Sequence, residues 1–161
     1  MVALARIKLD LPRWPDDVLD QWLVHLANRQ DLGWPPPDPL AQHPWKYILC
    51  GKPLSWWKQV TWAPTEITFV MSIFSLSSRR IILEMMQAHL AGEKNFYYAM
   101  VDGKLRFQSA WAYILNNGVF PKRPIIIPAV GGLRIVDGNH RATAMFACQT
   151  MKDSTFADTR I

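Results

Sequence analysis

The apolar positions Val18, Leu19, Trp22, Leu23 and Leu26 recur at the spacing of one helix face and predict a helix over 16–29 with that face buried. Trp14-Pro15-Asp16-Asp17 sets Pro and two acids in its first turn, where backbone N–H groups lack partners. Beyond Gly33, the run Trp34-Pro35-Pro36-Pro37-Asp38-Pro39 cannot continue a helix, because Pro has no N–H and holds its predecessor extended. It reads as a strap packed on the domain in preference to a ligand for an SH3-like partner. From Pro64 onward the pattern turns helical. Thr65 is placed to cap a segment through Leu76, Ser77 or Ser78 to cap a second one over 79–91 that ends at Gly92, and the two are expected to pack together. Tyr97 to Met100 and Lys104 to Phe107 flank Asp102-Gly103, which predicts a hairpin. A short helix over 109–116 follows, stopped by Asn117-Gly118. Then come a strand over 124–128, a Gly131-Gly132 turn, a strand over 133–136, and a final helix from just after Gly138 to about Gln149. The succession implies an α+β chain, with a small mixed sheet and packed helices.

Composition sharpens this in three ways. At 161 residues, half of them hydrophobic, the chain is read as one domain with a sizeable core. All of the eight tryptophans but Trp111, and most of the twelve prolines, fall before residue 65, so 1–64 is a Trp/Pro-rich segment ahead of a helical core over 65–161. Within that segment Trp45, Tyr47, Trp56, Trp57 and Trp62 can cover the core or, with Lys46, Lys52 and Lys58 nearby, stack nucleic-acid bases; core cover is the more ordinary use. The net charge of +5 favours polyanionic partners such as nucleic acid or nucleotides. Cys50 and Cys148 stand in neither a CxxC nor a metal-spaced cluster, which argues against structural zinc and fits a reducing compartment, with Cys148 as a small core residue. The first residues carry no signal-peptide pattern, and the longest apolar stretch, 67–76, is too short to span a bilayer, so a cytoplasmic location is expected.

The chemistry converges on Val136-Asp137-Gly138-Asn139-His140-Arg141. A strand that runs through Asp137 and Gly138 into a helix presents backbone N–H groups at the helix N-terminus, where the macrodipole favours an anion. Gly138 admits a phosphate close to the backbone, and Asn139 offers a neutral amide. His140 can donate a hydrogen bond or move a proton near neutral pH, and Arg141 can grip phosphate oxygens in a bidentate bond. Asp137 can cap the helix or hold magnesium. Arg123 and Arg134 lie near the same strand ends and can extend the anion site, whereas Arg79 and Arg80 begin another helix and are expected to be solvated. Read without that frame, Asp-Gly-Asn is a polar turn and His140-Arg141 an ordinary helix start.

The stretches Gln108 to Gly118, Arg123-Pro124-Ile125-Ile126-Ile127, and Leu133 to Ala144 with its central Asp-Gly-Asn-His-Arg resemble the ParB/sulfiredoxin superfamily over about the last third of the chain. That family combines a helix ending in Asn-Gly, a "PIIV" strand, a turn, and a strand entering DG(x)HR. The resemblance implies a ParB/sulfiredoxin-like fold and a choice among nucleoside triphosphate binding, peroxiredoxin reduction, serine phosphorylation and DNA cleavage. Sulfiredoxins carry a catalytic cysteine where this chain has Asn139, so peroxiredoxin repair is not expected. ParB partition proteins continue into a helix-turn-helix reader, and here the sequence stops about a dozen residues after the last helix, so centromere reading is not expected either.

The Trp/Pro-rich first half and basic character further resemble stand-alone members of the superfamily that inhibit plasmid fertility. That implies ATPase and DNase activity against DNA leaving the cell through a conjugative type IV secretion system, at the inner face of the membrane. Gly138, Asn139, His140 and Arg141 would hold a phosphate of ATP or of DNA, with Arg123 and Arg134 in support and magnesium as the expected cofactor. Glu66, near a predicted helix start, is the first candidate to orient water and Asp137 the second; an ordinary first-turn acid is the other reading of Glu66. Two alternatives stand beside this one: a non-enzymatic inhibitor docking through its aromatic half on a coupling protein, and a small-molecule kinase.

Overall fold

The structure, a computed structural model, describes residues 2–65, 67–91 and 103–151. The chain forms two compact units that divide between Pro64 and Thr65, where its composition changes. Among the described residues no helix is long and apolar enough to cross a membrane.

The first unit is built from short helices around indole rings. They are α1 (Leu4–Asp10), α2 (Asp16–Val18), a π-helical stretch Leu19–Val24, α3 (His25–Ala27), α4 (Trp45–Ile48) and α5 (Leu54–Trp57). The helix expected over 16–29 is present over 16–27 with its interior widened to a π turn, and Leu19, Trp22 and Leu23 are buried as the spacing requires. The pieces α1, α4 and α5 were not legible: four to seven residues hold too few turns to show a period. Trp14, Trp45 and Trp57 are almost fully buried, and each indole N–H finds a carbonyl. Trp14 Nε1 donates to Trp57 O at 2.9 Å, Trp57 Nε1 to Leu49 O at 3.0 Å, and Trp45 Nε1 to Gly33 O at 3.1 Å. An indole can be buried at no polar cost only when that N–H is satisfied, and these bonds fix the ring positions as well. Trp34, at the head of the proline run, donates to Asp10 at 2.9 Å, so the run is strapped to α1.

The second unit is α+β. Its helices are α6 (Leu76–Ala91), α7 (Gly103–Asn117) and α8 (Asn139–Thr150). Its sheet, among the described residues, is the antiparallel pair β1 (Ile125–Ala129) and β2 (Gly132–Asp137), with one parallel bridge from Phe74 to Leu133 beside it. Strands, turn and final helix fall where the sequence placed them. Burial explains the layering: Ser78, Ile82, Met85 and Ala88 on α6 and Phe107, Ala110 and Ile114 on α7 follow helical spacing. The α8 residues Ala142, Thr143, Ala144, Met145, Ala147 and Cys148 are buried nearly all round, and all but Met145 are small, which lets neighbours approach.

Three expectations need correction. Residues 67–75 form no helix apart from a 3-10 turn at Met71–Ile73, flanked by extended Val70 and Phe74, so Thr65 caps no helix and no helix pair forms there. Buried Phe69 and Phe74 hold this run, and Ser75 N donates to Leu133 O at 2.8 Å, so tertiary pairing decides where a short apolar run is ambiguous. Next, α6 starts at Leu76, before the expected caps: Arg79 N donates to Ser75 O at 3.0 Å, while Ser78 Oγ accepts from Ile135 N at 3.0 Å. Last, Lys104 to Phe107 are the first turns of α7, not a hairpin arm; the other arm lies outside the described residues. Burial of Phe107 in line with Ala110 and Ile114 outweighs the local turn preference of Asp102-Gly103.

The β-turn is closed by glycine for a steric reason. Gly132 has φ +133°, and a Cβ there would stand 2.5 Å from Ile73 O and 2.9 Å from Phe74 C, both backbone atoms.

Candidate phosphate-binding turn

Strand β2 carries one residue more than β1 at its far end. Ile126 pairs with Ile135 but Ile125 pairs with Asp137, leaving a bulge at Val136 immediately before the turn. Such bulges re-aim the residues beyond them. Gly138 then takes φ +94°, ψ 20°, a left-handed conformation, and its carbonyl accepts from Ala142 N at 2.9 Å to open α8. A strand thus turns sharply into the N-terminus of a twelve-residue helix.

Arg141 folds back over this turn. Its Nη2 lies 2.8 Å from Asp137 Oδ2, and the side chains are 18% and 26% exposed, so the pair sits between surface and core, where its field is less screened than at an open surface. A Cβ on Gly138 would meet Arg141 Nη2 at 2.7 Å, Arg141 Nε at 3.1 Å and Pro124 Cα at 3.0 Å. The missing side chain at Gly138 therefore makes room for the guanidinium as well as permitting the positive φ. Burial pushes the Arg141 pKa down and Asp137 opposes that, while Arg106 on α7 adds a repulsive positive charge. Arg141 Nε and Asn139 Oδ1 are shut off from the surface without a hydrogen-bond partner among the described residues. Asn139 O accepts from the buried Thr143 hydroxyl at 2.8 Å.

Asp137, Gly138, Asn139, His140 and Arg141 are thus brought together, with His140 half-buried in the first turn of α8. Arg123 is exposed and next to Pro124, whose Cα touches the turn. Arg134 pairs across the sheet with Ile127, three residues before Asp137, or about 10 Å up the strand, so it supports the turn only at the reach of its side chain. Glu66 lies outside the described residues. Arg79 is corrected: it is half-buried with Nε sequestered, unlike Arg80, which is exposed and reaches Glu84 at 2.6 Å.

The residue that sequence reading missed is Arg106, assigned to a hairpin arm. Continuing the Phe107, Ala110, Ile114 period back to Gly103 would have placed it on the first turns of a helix. Among the described residues no three His, Cys, Asp or Glu side chains come together as a metal-ligand group, and Asp137 is the one carboxylate of the turn. Magnesium commonly binds through one or two carboxylates plus substrate phosphates, so Asp137 suits an ion that arrives on a nucleotide. Compared with family models, curated proteins and solved structures, the chain matches none.

Proposed function

We propose that the Asp137 to Arg141 turn binds a phosphate group and that the chain is a nucleotide hydrolase and DNA nuclease of ParB/sulfiredoxin type. We further propose that it acts as a plasmid fertility inhibitor on DNA bound for a conjugative secretion channel. The observation that carries the reading is the Arg141 guanidinium, held over Gly138 at the N-terminus of α8 with its Nε lacking a hydrogen-bond partner among the described residues. Helix N–H groups, an arginine fork and the nearby charge of Arg106 all favour an anion at one place.

In this reading the phosphate of ATP or of a DNA strand displaces Asp137 from Arg141. The guanidinium and the N–H groups at the start of α8 then stabilise the charge of an in-line displacement by water, and Asp137, once released, accepts the water proton. His140 supplies a proton to the leaving oxygen. Asp137 is the residue that would hold magnesium arriving on a nucleotide, and the ion would supply neutralisation of charge on the phosphates.

The test is ATP hydrolysis and plasmid nicking by the purified protein with magnesium, beside a His140→Ala, Arg141→Ala variant whose fold is verified by circular dichroism. Loss of both activities in the folded variant is expected. An inactive wild type that still inhibits transfer would favour the docking inhibitor, and turnover only with an amino-acid acceptor would favour the kinase.

A further inference from the structure

The first unit divides the aromatic cluster in two. Trp45 and Trp57 are buried, whereas Tyr47 is 73% and Trp56 44% exposed. Trp56 is nevertheless held in place: its ring packs edge-on against buried Trp57 at 4.8 Å and 90°, and Trp57 is pinned by its bond to Leu49 O. The Lys52 ammonium stands 5.5 Å from the Trp56 ring centroid. The chain brings the other members alongside. Gly51 N donates to Lys46 O at 2.7 Å across a turn with positive φ at Cys50 and Gly51, so Lys46 and Tyr47 border the residue before Lys52.

Charge distinguishes this patch from the rest of the unit. Every acid of residues 1–64 lies between Asp10 and Asp38, and from Pro39 to Thr65 the sequence carries Lys46, Lys52 and Lys58 with no Asp or Glu. Lys58 reaches Asp10 at 4.0 Å, but neither Lys46 nor Lys52 forms an ion pair with a described residue. Two exposed aromatic side chains beside two ammonium groups that form no ion pair among the described residues match a ligand with flat π-faces strung on a polyanion.

We propose that Lys46, Tyr47, Lys52 and Trp56 form a docking surface for single-stranded nucleic acid, with bases stacking on Trp56 and Tyr47 and phosphates meeting the two lysines. The surface is independent of the chemistry at the Asp137 to Arg141 turn. A protein partner fits less well, because two aromatic side chains cover far less than the roughly 800 Å² per partner of a stable protein interface. Lys52 would move from the ring to a phosphate as a base takes its place.

The test is fluorescence anisotropy of a labelled oligothymidylate with the full chain, in EDTA and without nucleotide so that no turnover intervenes. Tyr47→Ala with Trp56→Ala should weaken binding at least about tenfold, since each stacking contact is worth a comparable factor. Lys46→Gln with Lys52→Gln should flatten the salt dependence, with tryptophan near-UV circular dichroism confirming an intact indole core. The His140→Ala, Arg141→Ala variant should show the same aromatic contribution, which separates this surface from the turn. Unchanged affinity in the aromatic variant, no wild-type binding, or equal binding of duplex and single strand would overturn the proposal. So would binding to phosphatidylserine-containing vesicles, but not to the oligonucleotide, that the aromatic variant loses.

Discussion

At the scale of single residues, the turn is tuned by what fills the space beside Gly138. Gly138→Ala forces a side chain into a left-handed conformation and against Arg141 and Pro124, so it should destabilise the fold by about 1–3 kcal/mol in chemical denaturation. Asp137 has a different part: it pairs with the guanidinium that the proposed phosphate would engage. Asp137→Asn should therefore tighten binding of inorganic phosphate in the absence of magnesium, measured by calorimetry, while abolishing hydrolysis. Weaker phosphate binding in that variant would show that Asp137 orients Arg141 for the anion and does not compete with it.

At the scale of elements, the contact between α6 and α7 carries a pH dependence. His89 lies 4.0 Å from the Phe107 ring and 5.5 Å from Trp111, and its pKa is lowered first by desolvation and then by the Lys104 charge. The folded state thus binds a proton less readily than the unfolded chain. The stability it contributes is present above the ordinary histidine pKa of 6.5 and is lost as pH falls below it. Thermal unfolding followed between neutral pH and pH 5 should show a smaller acid-side drop for His89→Phe than for the wild type. Ser78 joins α6 to β2 through Ile135 N; Ser78→Ala leaves that N–H buried without its acceptor and should cost about 1–3 kcal/mol.

The same elements show what a sequence conveys and what it cannot. Helix α8, both strands and the turn between them were legible because period, Gly-Gly and Asp-Gly signals agree there. Ile67 to Ser75 was misread because a short apolar run has no period of its own, and the bond from Ser75 N to Leu133 O links residues 58 positions apart. That Asp137 to Arg141 join a strand to a helix was readable, but the fold-back of Arg141 onto Gly138 and the nearness of Arg106 are tertiary facts that no local pattern encodes.

For the whole molecule, the chain has two units with different cores: an indole-rich unit with a basic aromatic surface, and an α+β unit that carries the turn proposed to bind phosphate. Burial in the second unit raises the Cys148 thiol to about 11, against 9.0 ordinarily, so at pH 8 it is neutral and sheltered. A thiol reagent should leave Cys148 unmodified in the native chain and label it on unfolding; fast native labelling of Cys148 would mean that the α8 core opens readily. The central claim is that the turn holds phosphate, and amide NMR during titration with inorganic phosphate tests it most directly. Shifts concentrated on the N–H groups of Gly138 to Ala142, and lost in Arg141→Ala, are the predicted result. A titration that leaves those amides unmoved, or moves the same ones equally in Arg141→Ala, would contradict it.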